Sequence, residues 1–121
     1  MKTKKEIIDF INKTKKASLT TSNTSYSKIN KSKDVWWLNI QTQKFNDDDV
    51  HLLLKTDKEV IWIYLANKFT KDINASFKIR PDRNAVDLEI SADKSFMYLR
   101  DIKSGGTGFD FDKYVNETIQ F

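Results

Sequence analysis

The chain has 121 residues, with 21 Lys+Arg against 17 Asp+Glu, no cysteine, one histidine, one proline and three glycines. That length suits one domain, residues 1–121, large enough for a core without staples. Without cysteine there is no disulfide, thiolate nucleophile, cysteine-type zinc site or iron–sulfur cluster, and the lone His51 removes multi-histidine metal sites, so neither metal nor cofactor is expected.

The first predicted element is an amphipathic helix over residues 4–16. Ile7, Ile8, Phe10 and Ile11 form one apolar stripe, and Thr3 with Glu6 matches a capping box. Lys13, Lys15 and Lys16 then complement the dipole of the last turn. The apolar stretch is broken by Asp9, Asn12 and Lys13, so no secretory signal is expected. No run of ~18 apolar residues offers a membrane span either, and a cytoplasmic, membrane-free protein is anticipated.

Residues 17–22 suggest a short edge strand. Residues 22–34 are rich in Ser, Asn and Lys, with Tyr26 and Ile29 the only large apolar side chains, and they suggest a long loop. From Val35 the pattern favours strands: 35–40, then 50–54 after the break at Asp47, Asp48 and Asp49, then 60–65. The last two read as a hairpin. Residues 60–65 are apolar on both faces, which predicts a central position. Further strands are expected at 77–80, 86–90 and 96–100, separated by the turn signals Pro81-Asp82-Arg83-Asn84 and Ala92-Asp93-Lys94-Ser95. Asp110 as N-cap, with Phe111, Tyr114, Val115 and Ile119 as a stripe, predicts a C-terminal helix over about 110–120.

The expected class is therefore α+β: a strongly bent antiparallel sheet or partly open β-barrel of five to six strands, with an N-terminal and a C-terminal helix. At the level of architecture alone this resembles small bent-barrel DNA-reading modules of bacterial restriction systems.

Charge is unevenly placed. Residues 1–44 carry ten lysines against Glu6, Asp9 and Asp34, a net of +7, whereas residues 45–121 carry eleven basic and fourteen acidic residues, a net of −3. A basic first third without a complete catalytic motif points to a phosphate-bearing partner. The lysine excess travels with isoleucine and asparagine, as AT-rich coding would give. The three arginines stand apart from that bias.

The leading expectation is a nucleic-acid-binding module, double-stranded DNA favoured, in an accessory or specificity role in a bacterial restriction or defence system. Phosphate contacts are assigned to Lys28, Lys31, Lys33 and Lys103, and to the N–H groups of Ser104, Gly105, Gly106 and Thr107 ahead of the C-terminal helix. Arg80, Arg83 and Asn84 are assigned to base edges, and Arg100 adds a further basic contact. Exposed aromatics would stack on bases. Trp36 and Trp37, being adjacent on a strand, must face opposite ways.

Two alternatives carry different chemistry. One is a small protein-interaction module, such as a phage or plasmid inhibitor of a host protein, which would expose an apolar patch. The other is a divergent metal nuclease built on Asp82, Asp87 and Glu89 with Lys94, although the spacing of the lysine departs from an acid-x-Lys strand. His51 reads as a core histidine, and Asp47–Asp49 as a turn or helix cap.

Overall fold

A computed structural model describes residues 3–120. The elements in order are α1 (Lys4–Lys15), β1 (Thr24–Asn30), β2 (Val35–Gln41), α2 (Thr42–Asp47), β3 (Val50–Lys55), β4 (Glu59–Leu65), α3 (Ile73–Ser76), β5 (Lys78–Arg80), β6 (Ala85–Ser91), a 3-10 turn at Asp112–Tyr114, and β7 (Val115–Gln120). The seven strands form one open sheet in the order β5-β6-β2-β1-β3-β4-β7. Neighbours are antiparallel except β1 and β3, which run parallel. The α+β class holds, but the sheet has free edges at β5 and β7 rather than closing into a barrel, and it has seven strands rather than five or six. Among the described residues no helix is long and apolar enough to cross a membrane.

α1 forms as its pattern dictates. The Thr3 hydroxyl accepts from the Glu6 N–H at 3.1 Å, Ile7, Ile8 and Ile11 are buried, and Lys16 closes the helix at φ 54°. Asn12 then anchors the segment that leaves the helix. Its side chain donates to the Leu19 carbonyl and accepts from the Leu19 N–H, both at 2.8 Å. Thr20 and Asn23 exchange a second reciprocal pair of side-chain bonds. With their backbone groups spent on side chains, residues 17–22 form no edge strand.

Residues 24–30 are not a loop but the strand at the middle of the sheet. β1 bonds β2 on one side and β3 on the other, with Tyr26 beside Leu53 and Ile29 beside Trp36. Its polar composition is tolerated because Thr24 and Ser27 are small enough to be buried, while Tyr26 and Ile29 each reach one of the two cores. The 50–65 hairpin and the interior position of β4 match expectation.

Two predicted elements are replaced. Residues 96–100 make no strand: Met97 and Leu99 sit at φ 52° and 62°, and the segment is held on β6 by backbone bonds of Leu99 and Arg100 to Ser91, with isolated bridges at Ile90–Asp101 and Arg100–Asp110. The C-terminal helix is absent as well. After the 3-10 turn the chain becomes β7 and satisfies the free edge of β4.

The larger core lies on one sheet face, where Trp36, Leu38, Ile40, Leu52, Leu54, Ile61, Ile63, Val86, Leu88 and Ile90 meet Phe45, Phe77, Leu99 and Phe111. On the opposite face α1 packs Ile7, Ile8 and Ile11 on Leu53, Val60, Trp62 and Ile119. That cover ends at β1. Beyond it, β2 and β6 present Trp37 beside Glu89 and Asn39 beside Asp87, and no described helix lies over them.

Candidate nucleic-acid interface

The uncovered half of the helix-bearing face is where functional side chains gather. Its centre is Trp37, 49% exposed, whereas Trp36 on the opposite face is 1% exposed. The Lys33 ammonium lies 5.4 Å from the centroid of the Trp37 ring, a cation–π contact. Lys28 is exposed and shares this face, since its neighbour Ile29 pairs with Trp36 and alternation puts Lys28 with Trp37.

Toward β6, three basic groups predicted from sequence converge on acids. Lys103 Nζ is 3.6 Å from both Asp87 Oδ2 and Glu89 Oε1. Arg80 pairs with Asp82 at 3.3 Å, and Arg83 reaches the same oxygen at 4.0 Å. Lys103, Arg80 and Arg83 line one shallow depression with Trp37 and Asn39. The lysine beside Asp87 and Glu89 is thus Lys103, from a distant loop, and not Lys94. Asp82 sits apart in the β5–β6 turn. Among the described residues no three acidic or imidazole side chains are grouped to hold a metal ion.

Beneath this cluster lies Asp101, 1% exposed. Its Oδ1 accepts from the N–H groups of Glu89 and Lys103 at 3.2 and 3.1 Å, while its buried Oδ2 has no partner. Burial pushes its carboxyl above the ordinary aspartate pKa, and the charges of Glu89 and Asp87 add to the rise.

Toward α1 the surface holds two lysines that the sequence did not single out. Lys4 Nζ donates to the Thr21 carbonyl at 2.9 Å, and Lys44 Nζ donates to the Ser22 carbonyl at 2.7 Å. Burial and the nearby Lys44 charge together hold the Lys4 ammonium below its usual pKa. The two lysines line one depression with Thr24, Ser25, Tyr26, Asn39 and Trp37. The sequence signal for them was only the general +7 of the first 44 residues; their meeting depends on β2 leading into α2 beside the 20–23 turn.

Other expected contacts fall elsewhere. Lys31 is drawn to Asp57 at 3.1 Å, and Arg100 to Asp110 at 3.7 Å. Asn84, at φ 49°, lines a cavity of about 670 Å³ between α2 and the 68–74 segment. The glycine loop does not precede an α-helix, so the anion cradle expected there loses the helix dipole that was to support it. Gly105 and Gly108 hold φ of +90° and +75°, and a Cβ on Gly106 would stand 2.8 Å from Asp101 Oδ2. Thr107 donates its hydroxyl to the Ser76 carbonyl at 2.8 Å. Gly106 thus closes against the buried Asp101, and Thr107 ties the loop to the end of α3.

His51 is a core residue, as expected. Its Nδ1 accepts from the Trp62 indole at 3.0 Å, and its ring stacks on Tyr64 at 5.0 Å. Burial holds its pKa down. Asp49 ties off the segment after α2, accepting from the Tyr64 hydroxyl and the Asn67 N–H, both at 2.7 Å.

No family model, curated protein or solved structure matches the chain.

Proposed function

We propose that the chain is a non-catalytic nucleic-acid-binding module that works through the open half of its sheet, with DNA favoured and an accessory role in a restriction or defence system. One observation carries this reading: the half-face left bare by α1 presents Trp37 flanked by Lys4, Lys28, Lys33 and Lys44. An exposed indole among lysines offers a base a π-surface and its phosphates a counter-charge. Fluorescence anisotropy with labelled oligonucleotides tests it. Affinity is expected to fall at least about tenfold between ~50 and ~200 mM salt, as counterion release by several lysines requires. Absence of binding at low salt overturns the reading.

A second reading, a protein-interaction module, draws on a separate surface. Phe96 and Met97 are 58% and 42% exposed side by side. On that reading a Phe96→Ser, Met97→Ser double variant loses capture of a host protein and keeps its nucleic-acid affinity.

A further inference from the structure

We infer that the strand this surface takes is unpaired, with one base stacked on the Trp37 indole and a neighbouring phosphate held between Lys4 and Lys44. The inference rests on the nucleic-acid reading and specifies its ligand.

Only some of the cations are free to meet phosphate. Among the described residues Lys4, Lys28, Lys33 and Lys44 form no ion pair, whereas Lys103, Arg80 and Arg83 are matched by Asp87, Glu89 and Asp82. On the β6 side one further cation, exposed Lys78 beside Asp87, stands outside these pairs, so most of the unmatched positive charge lies with Lys4, Lys28, Lys33 and Lys44. Phosphate is therefore attracted more strongly to the side of the indole that Lys4 and Lys44 line.

The lysine pair suits an anion in its own right. Each ammonium has three donors, and the carbonyls of Thr21 and Ser22 take one apiece. Two like charges meeting with no carboxylate between them are relieved by a bound anion. Lys44 also lines a small notch with Asp47, Asp48 and Asp49, but among the described residues none of these carboxylates forms an ion pair with Lys44 or Lys4. Because Lys4, Lys44 and Trp37 line the same depression, a phosphate and an adjoining base can be held at once.

The shape of the platform selects unpaired over paired strands. Trp37 sits at mid-strand on a sheet face, with α1 standing to one side. A duplex hides the faces of its bases and shows only edges, which are read by a helix or ribbon that projects into a groove. The β5–β6 turn that was to supply that projection keeps Arg80 and Arg83 on Asp82. A single strand presents base faces freely, and stacking tolerates any base.

Labelled oligothymidylate and oligouridylate of about 12 nucleotides, and a duplex of the same length, are titrated against the whole chain by anisotropy. Single strands are expected to bind, in either sugar form, and the duplex to bind more weakly. Trp37→Ala should weaken single-strand binding about 10- to 100-fold, and Trp37→Phe should restore part of it. Oligothymidylate should also quench wild-type tryptophan emission more than that of Trp37→Phe, since Trp36 and Trp62 are buried. Lys4→Gln with Lys44→Gln should flatten the salt dependence by a slope of about 1–1.5. Unchanged thermal melting of these variants separates lost contacts from lost folding. Tighter binding of duplex than of single strand, or unaltered affinity in Trp37→Ala, overturns this inference and leaves the broader reading standing. If neither form binds, both fall together.

Discussion

At the level of single residues, Asp101 combines two amide donors on one oxygen with nothing on the other. Its folded pKa is raised, so the ionised form is favoured more in the unfolded chain than in the folded one. Its contribution to stability is therefore complete below the ordinary aspartate pKa of 3.8 and is lost as pH rises through the folded value. Asp101→Asn keeps an acceptor for the Glu89 and Lys103 amides and removes the buried charge. It is expected to raise the melting temperature at pH 7 and not at pH 3, while Asp101→Ala orphans both N–H groups and costs about 1–3 kcal/mol at either pH. Thermal melts of the two variants at both pH values check this. The neighbouring tryptophans show what a residue's position alone could and could not say. Alternation required Trp36 and Trp37 to part ways, but which of them was buried depended on which face of β2 the aromatic cluster of Phe77 and Phe111 covers.

Among the elements, α1 and the β3–β4 hairpin were legible because cap, stripe and turn agree on one structure. β1 was not. Seven residues with two large apolar side chains carry too little hydrophobic signal to be read as a strand, and only the edges of β2 and β3 make them one. β7 was misread for a different reason. Phe111, Val115 and Ile119 recur every four residues, which reads as one helix face, but a register shift opposite Trp62 and Ile63 divides them, with Phe111 and Val115 in the larger core and Ile119 beneath α1. The unpaired edge of β4 decides for a strand, and Val115, Thr118 and Ile119 are β-branched. Ile119 is buried beneath α1, so Ile119→Ala should cost about 2–4 kcal/mol by chemical denaturation, well above what an exposed C-terminal helix position would lose.

For the molecule as a whole, the two cores are not separate bodies. Leu53 faces α1 while Leu52 and Leu54 face the larger core, and β4 alternates in the same way with Val60 and Trp62 against Ile61 and Ile63. Loss of one core withdraws the strands from the other. Unfolding followed by far-ultraviolet circular dichroism and by tryptophan emission is therefore expected to give coincident transitions, and an earlier loss of helix signal would show α1 melting on its own. The same partial coverage creates the candidate surface. α1 is 12 residues long and crosses the β3, β4 and β7 side, which leaves β2 and β6 without a helix over them.

The α+β class, the first helix with its cap, the central hairpin and the basic bias of the first third could all be read from the chain, because each arises from local periodicity or simple counting. Folding in three dimensions was needed to make a polar segment the middle strand, to turn the last apolar stripe into an edge strand, and to bring Lys4 and Lys44 together beside Trp37. Those outcomes depend on free sheet edges and on contacts between residues far apart in the chain, and no local window of side chains contains that information.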